Sequence, residues 1–499
     1  MKQFLGLTLV LCLFTSVPAQ DSSVIFDNRF TDVRELIIDQ ITTETVPSIV
    51  VAVAEDGKII WEEAFGFADL ENQIKSTPNT MYRLGSISKT ITATGLMLLV
   101  EAGLIDLDKP ANEYLPEDVR LRGFEGESGE ITVRHLLNHR AGLPAYAEIF
   151  YEDDPGGRRS LAETTRRYGI IAYPPGWSFI YCNLGYQMAA SMIAEVSGMS
   201  YAEFIEKRLY FPLGMTHSRV YEGKPFSEPK AIPYTPSLKR IPPYRSSYPG
   251  AEGNYASAHD LIRFAMFHLK DHLPDQEPIL SDEAIDDMQA EVPPGNRKYG
   301  IGWDLDGTDH GYRSVYHGGD GPGANCMLRL FQDEDIAAVV LCNAKLDKLY
   351  DIQKAIFVAL IPELGKPEPE PVQTEDSAPS QPPDEPIEMY RTWRGTITAY
   401  DREMDVELTV DSTGAKVTVG GQPSDDLEIY VLTPTFLLGM FDADIPTPDN
   451  ERNPYRNRLA VVREGDRLYG AVISVGRRAE QEGHYELSSR IELRPSKQE

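Results

Sequence analysis

Positive charge is scarce in this sequence. Lysine and arginine together number 48 against 77 aspartates and glutamates, which gives a net charge of −29 over 499 residues. No block of basic residues interrupts this excess. Because an acidic surface repels phosphate backbones and anionic lipid head groups, the composition argues against nucleic acid and charged membranes as partners. We interpret the acidity as an adaptation for solubility.

Long apolar runs are also missing. The mainly apolar stretch Leu5–Phe14 has ten residues, fewer than the roughly 20 that a helix needs to span a bilayer. It follows Lys2 and precedes the small residues Val17–Ala19, an order typical of a secretory signal peptide. We predict that residues 1–20 are such a signal, with an uncleaved anchor as the less favoured alternative. The mature protein is then expected to be periplasmic or secreted, and soluble.

Cysteine is rare as well. Once the predicted signal is removed, Cys182, Cys326 and Cys342 remain, and an odd number leaves at least one thiol unpaired in an exported protein. A hairpin centred on Glu334 would place Cys326 opposite Cys342, where a disulfide could form. We favour the alternative that both are small buried side chains, because free cysteine is commonly buried.

Strand patterns occur at both ends of the first two thirds of the chain. Pro47–Ala54 and Lys58–Phe67 flank an Asp-Gly turn, and short strand-like segments return after Tyr299. Helical patterns such as Tyr186–Ser197 lie between them. The economical packing is an α+β fold in which one antiparallel sheet takes strands from both ends and the central helices form a second lobe. A functional site is expected in the cleft between them.

The last third of the chain changes composition twice. Lys366–Pro386 holds seven prolines and six acidic residues among 21, which predicts an extended linker. Seven short strand-like segments follow without a helical one, and they predict a small β-barrel or β-sandwich. We therefore predict a signal peptide (1–20), an α+β domain (21–364), a linker (365–386) and an all-β domain (387–499).

A Ser-x-x-Lys motif, Ser86 to Lys89, opens a predicted helix that ends at Gly103. Residues three apart lie on one helix face, so the Lys89 amine can reach the Ser86 hydroxyl. A serine hydroxyl becomes a good nucleophile when a base takes its proton, and a lysine can be that base if desolvation lowers its pKa. The motif alone is a weak signal, because most such pairs lie on solvated helix faces.

Two further motifs follow in the sequence. Tyr181 and Asn183 are two residues apart in a predicted extended segment, which places both side chains on one side. Tyr316 to Asp320 reads Tyr-His-Gly-Gly-Asp at the end of a predicted strand. Glycines there let a substrate approach the backbone, and a strand-end N–H can stabilise an oxyanion. Taken singly, each motif is better explained by a structural or merely exposed role.

The order of the three motifs resembles that of the serine β-lactamase and penicillin-binding-protein superfamily. The surrounding sequence is similar to the class C β-lactamase-like hydrolases over about residues 25–362. Four segments carry that similarity: Tyr82–Ala93, Ile131–Pro144, Pro174–Gly198 and Phe211–Thr216. The resemblance implies a β-lactamase/transpeptidase-like fold. It also suggests that the C-terminal domain is a lipocalin-like barrel that borders the active site, although its role stays open.

The resemblance also implies roles for individual residues. Ser86 would form an acyl-enzyme, and Lys89 and Tyr181 would share the proton transfers. Asn183 would orient Lys89 and contact the substrate. The backbone N–H groups of Ser86 and Asp320 would form an oxyanion hole. No metal or organic cofactor is implied.

Two departures from the family pattern bear on the substrate. Where the β-lactamases of this group have a lysine that holds a carboxylate, this chain has His317, followed by Gly318, Gly319 and Asp320 as further substrate-binding candidates. A largely neutral histidine and a nearby negative charge are both expected to weaken carboxylate binding. The His-Gly-Gly form resembles the esterases and D-amino-acid peptidases of the family. Cys182 stands where serine is usual, and we interpret it as a packing residue.

The expected activity is hydrolysis of a small or short-peptide ester or amide. The candidates are a carboxylic ester, a D-amino-acid amide or peptide, and a β-lactam-like compound. Two alternatives remain open: a catalytically silent binding protein for penicillin or peptidoglycan, and an acyltransferase with an acceptor other than water. The sequence does not indicate an oligomeric state.

Overall fold

The computed structural model describes residues 25–43, 46–122, 131–151, 158–221, 229–271, 273–290, 297–367, 389–450, 455–477 and 484–496. The predicted signal peptide (1–20) and most of the predicted linker (365–386) lie outside these ranges. Among the helices of these ranges, none is both long and apolar enough to cross a bilayer.

A seven-stranded antiparallel sheet is the base of the first domain, in the order β3-β2-β1-β12-β11-β10-β9. It combines strands from both ends of the domain, as predicted. An Asp56-Gly57 turn with positive φ at both residues joins the first two strands, as their sequence predicts. The strands are β1 (Ser48–Glu55), β2 (Lys58–Asp69), β3 (Ile74–Lys75), β9 (Asp304–Asp309), β10 (Tyr312–Gly321), β11 (Ala324–Phe331) and β12 (Ile336–Cys342).

Helices and short strands form the second lobe between β3 and β9, and one helix at each end of the domain covers the other face of the sheet. The helices are α1 (Thr31–Thr42), α2 (Ser88–Glu101), α3 (Val133–Leu137), α4 (Leu161–Tyr168), α5 (Asn183–Ser197), α6 (Tyr201–Ile205), α7 (Pro249–Glu252), α8 (Ala258–His268), α9 (Asp282–Met288) and α10 (Leu349–Leu360). A π-helical turn, Glu206–Tyr210, follows α6. The short strands are β4 (Tyr82–Arg83), β5 (Ile149–Tyr151), β6 (Ser218–Val220), β7 (Tyr244–Ser246) and β8 (Asn254–Ala256).

The register of the β11–β12 hairpin rules out the disulfide that a turn centred on Glu334 would allow. Cys326 pairs with Leu341, and Cys342 pairs with Asn325, one residue away from the register that would align the two cysteines. Because successive side chains on a strand point to opposite faces, this shift places the two thiols on opposite sides of the sheet. Both are buried and free, in separate hydrophobic clusters. The favoured interpretation, two small packing residues, is confirmed.

The C-terminal part of the chain is a nine-stranded antiparallel sheet in the order β16-β15-β14-β13-β21-β20-β19-β18-β17. The sheet curls so that its two ends lie against each other, and we call this domain the barrel. Apolar side chains that include Trp393, Leu408 and Phe441 fill its interior. Its strands are β13 (Thr392–Thr398), β14 (Glu403–Asp411), β15 (Gly414–Val419), β16 (Gln422–Asp426), β17 (Glu428–Leu432), β18 (Phe436–Phe441), β19 (Tyr455–Glu464), β20 (Arg467–Arg477) and β21 (His484–Pro495). The sequence pattern predicts seven of these and misses β16 and β18.

Contacts at several places attach this all-β domain to the first domain. The backbone of Glu486 in β21 exchanges two hydrogen bonds of 3.1 and 2.8 Å with that of Ala147. Asp449, whose side chain is fully buried, accepts hydrogen bonds of 2.6 Å from both Arg167 and Tyr168 of α4 and lies 3.2 Å from Arg159. Burial opposes ionisation of this carboxyl, but the Tyr168 hydroxyl and the two arginines hold its pKa below the usual range.

We expect Asp449→Asn to destabilise the protein by about 3–5 kcal/mol, because removing one partner of a buried ion pair leaves the other charges uncompensated. Urea denaturation followed by circular dichroism measures this change. The matched control is Asp442→Asn, at an exposed barrel aspartate that also pairs with an arginine. That change should cost no more than about 1 kcal/mol. Equal losses in the two variants would contradict the importance of the Asp449 contacts.

Candidate active site

The Ser-x-x-Lys motif lies at the start of α2, close to the position that the sequence predicts. Residues Gly85–Ile87 form a 3₁₀ turn that leads into α2, so Ser86 is in the turn and Lys89 is in the first turn of the helix. Lys89 Nζ lies 3.0 Å from Ser86 Oγ. Ser86 is partly exposed whereas Lys89 has no exposed surface. The hydroxyl is therefore accessible to a substrate while the amine beneath it is shielded from water.

Burial lowers the pKa of Lys89 to about 7, although Glu252 and other nearby acidic groups oppose the shift. The amine lies 3.3 Å from the carbonyl oxygen of Ala251 and 4.5 Å from the centre of the Tyr181 ring. These groups favour the charged amine, but the loss of water around it outweighs them. A substantial fraction of Lys89 is neutral at pH 7 and can accept a proton from Ser86.

Tyr181 is also hydrogen-bonded to Ser86. Burial raises the pKa of the Tyr181 phenol well above its ordinary value, and the bond to Ser86 only partly offsets this. Tyr181 is therefore a neutral phenol at neutral pH. Its hydroxyl can pass a proton on. Of Lys89 and Tyr181, only Lys89 has an unprotonated form at neutral pH that can act as the base.

Asn183, predicted to orient Lys89, makes a different contact. Its Nδ2 donates a 2.9 Å hydrogen bond to the carbonyl oxygen of Tyr146. The amide thus holds the segment that carries Tyr146, the same segment that pairs with β21 of the barrel through Ala147. Asn183 still lies in the first turn of α5, two residues after Tyr181, with its side chain partly exposed.

Cys182 is buried between these two residues. Its backbone N–H donates to His139 Nδ1 at 3.2 Å, and burial raises the pKa of its thiol to about 11. A protonated, enclosed thiol is a poor nucleophile. This placement agrees with the interpretation of Cys182 as a packing residue.

The third motif lies on β10, directly against the turn that carries Ser86. A Cβ on Gly319 would lie 1.9 Å from the carbonyl oxygen of Leu84, and a Cβ on Gly85 would lie 2.9 Å from the backbone nitrogen of Asp320. Gly85 also has a φ of +52°, which favours glycine. The two glycines thus allow the turn and the strand to touch. This contact places the backbone of Asp320 next to the turn that carries Ser86, the proximity that the predicted oxyanion hole requires.

His317 is buried near the site, and the Asp320 side chain pairs with a lysine. His317 is 3% exposed, with Nε2 at 3.0 Å from the Tyr299 hydroxyl and Nδ1 at 2.7 Å from the carbonyl oxygen of Gly318. Burial, reinforced by Lys89, lowers the pKa of His317 to about 3, so it is a neutral imidazole. The Asp320 carboxylate is exposed and pairs with Lys345 at 2.9 Å. Its charge, expected to weaken carboxylate binding, is thus largely compensated.

Two residues near the site carry no role in the sequence analysis. The ring of His139 lies 4.4 Å from that of Tyr181, and burial lowers its pKa well below the ordinary value. Arg297 lies over the Phe179 ring at 5.2 Å and pairs with Asp304. His139 lies in Ile131–Pro144, a segment that carries the family resemblance, so the sequence could have marked it as a residue near the site. Nothing in the local sequence of Arg297 marks it, because a distant loop brings it to the cleft.

Known proteins resemble this chain in sequence. A family model described as beta-lactamase matches residues 33–362. Penicillin-binding protein 4* of Bacillus subtilis (strain 168) is 27% identical over 394 residues, which cover 74% of this chain and 81% of that protein. The mitochondrial serine beta-lactamase-like protein LACTB of Homo sapiens is 26% identical over 318 residues, covering 50% of this chain and 58% of the human protein.

Solved structures share the fold at low identity. SurE matches with a TM-score of 0.63 and 23% identity, over 88% of this chain and 97% of its own. The octameric penicillin-binding protein homologue from Pyrococcus abyssi matches with a TM-score of 0.56 and 24% identity, over 92% and 99%. The D-amino acid amidase from Ochrobactrum anthropi SV3 has a TM-score of 0.56 and 22% identity, over 66% and 99%.

The family model covers well over half of the chain, from α1 to the end of α10. It therefore includes all three motifs, the central sheet and the helical lobe. Solved structures with this fold include a penicillin-binding protein homologue, a D-amino acid amidase and a class C beta-lactamase. The chain belongs to the beta-lactamase family.

Proposed function

We propose that this protein is an exported serine hydrolase that cleaves a small ester or amide through an acyl-enzyme on Ser86. The observation that carries the proposal is the contact between a partly exposed Ser86 hydroxyl and a buried Lys89 amine at 3.0 Å. Export rests on the predicted signal peptide.

The proposed reaction begins with attack of Ser86 Oγ on the substrate carbonyl carbon, while Lys89 takes the hydroxyl proton. The backbone N–H groups of Ser86 and Asp320 stabilise the developing oxyanion. The Tyr181 hydroxyl then gives its proton to the leaving alcohol or amine and regains one from the protonated Lys89. In the second half, water attacks the acyl-enzyme with the same groups acting in reverse, which releases the acid and restores Ser86.

Carboxylic esters and D-amino-acid amides are the proposed substrates, with β-lactams as slow ones. A neutral, buried His317 in place of a lysine supports this order, because it supplies no charge to hold the carboxylate of a penicillin. The fold shared with a D-amino acid amidase is compatible with it. An acyl-enzyme is also the intermediate of an acyltransferase, so the acceptor must be found by experiment.

Labelling with a fluorophosphonate or a fluorescent penicillin, read by intact mass, tests the nucleophile. We expect one adduct on the wild-type protein and none on Ser86→Ala, which should retain its fold because the change removes one hydroxyl. An adduct that persists on Ser86→Ala, or none on the wild type, would disprove the assignment of Ser86. A panel of p-nitrophenyl esters, D-aminoacyl anilides and nitrocefin then ranks the substrates. A permanent adduct without turnover of any of them would favour the silent binding protein.

A further inference from the structure

A cavity of about 580 Å³ lies between the first domain and the barrel, and we call it the interdomain pocket. One wall is the segment Tyr173–Tyr181, which ends at the tyrosine bonded to Ser86. The opposite wall belongs to the barrel and includes Phe436 of β18 and Ala460 of β19. Cavities of about 300–1,000 Å³ are the usual size for small-molecule sites. The pocket is therefore large enough to take part of a substrate that reacts at Ser86.

The walls of the interdomain pocket are mainly aromatic. Trp177 stacks on Tyr173 at 5.6 Å, and its ring lies 6.3 Å from that of Phe436. Trp177 is 41% exposed and lies in the segment that leads to Tyr181. An apolar ligand group would remove this ring from water.

The two charged side chains in the interdomain pocket neutralise each other. Arg458 and Glu486 form an ion pair of 2.9 Å, and both are partly shielded from solvent. A paired arginine and glutamate offer little net charge to an ionic ligand. The pocket thus selects for apolar volume more than for charge.

We propose that the interdomain pocket binds a bulky apolar group of the substrate, of the size of an aromatic ring or a medium alkyl chain. This inference rests on the proposed hydrolase function and deepens it. Tyr181 forms part of the pocket wall and is hydrogen-bonded to Ser86, so a substrate whose carbonyl is held at Ser86 would reach the pocket by extending past Tyr181. The barrel then contributes to substrate choice by supplying one wall of the site.

Ala460 offers a way to fill the pocket without altering the catalytic groups. Its neighbours Leu459 and Val461 pack inside the barrel, so Ala460 faces outward into the pocket. Ala460→Phe should lower kcat/KM for p-nitrophenyl 4-phenylbutyrate by about ten-fold or more while p-nitrophenyl acetate changes by less than about two-fold. The matched control is Thr418→Phe, an outward-facing position on β15, which should leave the ratio unchanged. A second arm compares benzyl and methyl esters of one acid, to assign the pocket to the acyl or the leaving-group side.

Fluorescence of Trp177 reports occupancy without turnover. The other three tryptophans, Trp61, Trp303 and Trp393, are fully buried, so a change in emission on ligand binding identifies Trp177. Titrating 4-phenylbutyrate into Ser86→Ala should shift the emission to shorter wavelength. The same titration with Trp177→Phe or Ala460→Phe added should give no shift.

The results separate failure of this proposal from failure of the proposed function. The wild type could turn over the esters while Ala460→Phe loses activity equally on all of them, or loses none. Either result overturns the interdomain pocket and leaves the hydrolase intact. A Trp177 shift without labelling of Ser86 supports the pocket as an apolar binding site and removes the hydrolase. Absence of the shift together with absence of any size discrimination overturns the pocket in either case.

Discussion

Replacing Lys89 by methionine should slow acylation of Ser86 by about 10³–10⁴-fold, close to the loss expected for Ser86→Ala. The two side chains act as one unit, because the hydroxyl is a weak nucleophile without a base at 3.0 Å. Tyr181 cannot replace that base, since burial keeps its phenol protonated. Stopped-flow acylation by a p-nitrophenyl ester measures the rate directly.

The pH dependence gives a signature that a loss of packing would not produce. The neutral amine is the active form, so kcat/KM of the wild type should rise with pH and reach half its plateau near pH 7, where Lys89 titrates. Below that pH the amine is protonated and cannot accept the serine proton. The residual activity of Lys89→Met should lack this rise. Activity that falls as the pH rises through 7 would contradict the assignment of Lys89 as the base.

Stability measurements distinguish a lost base from a damaged fold. Methionine fills a similar volume, and Lys89 has no exposed surface, so the change removes a buried amine without opening a cavity. We expect the melting temperature of Lys89→Met to match or exceed that of the wild type. Lys348→Met is the control at an exposed lysine paired with Asp351. It should keep both the rate and the pH profile.

Much of the geometry of the candidate site could be predicted because it follows from local rules. The spacing of Ser86 and Lys89 fixes their contact once a helix begins there, and the observed 3₁₀ turn shifts only the first residues. The Asp56-Gly57 turn likewise determines the β1–β2 hairpin. In these cases the interacting residues lie within a few positions of one another, so the sequence alone contains the geometry.

Contacts between distant segments could not be predicted in the same way. The placement of Cys326 and Cys342 depends on the register of the β11–β12 hairpin. A shift of one residue in that register puts the two side chains on opposite faces of the sheet. His317 is hydrogen-bonded to Tyr299, and the Asn183 amide donates to a carbonyl oxygen of a segment that also pairs with β21. The interdomain pocket requires a domain orientation that no motif encodes. These features arise from packing between elements far apart in sequence.

The contact between Gly319 and the Ser86 turn leads to the second large effect. Gly319→Ala should lower kcat by about 10²–10³-fold, the loss typical of removing one oxyanion-hole donor. A methyl group there would lie 1.9 Å from the carbonyl oxygen of Leu84, so the strand and the turn must move apart. The backbone of Asp320, the proposed oxyanion-hole donor, then moves away from the turn that carries Ser86. Because this donor acts mainly on the transition state, KM should change much less than kcat.

Gly321→Ala is the matched control for that variant. It makes the same substitution two residues later on the same strand, where the new Cβ would meet only the Tyr244 hydroxyl at 3.4 Å, an ordinary contact. We expect it to keep nearly full kcat, which would exclude a general effect of alanine on β10. Fluorophosphonate labelling should also slow in Gly319→Ala and not in Gly321→Ala, since the phosphoryl oxygen uses the same two N–H groups. A Gly319→Ala protein with wild-type kcat would mean that the strand can shift without moving the oxyanion hole, and that the close packing at Leu84 is a feature of the fold and not of catalysis.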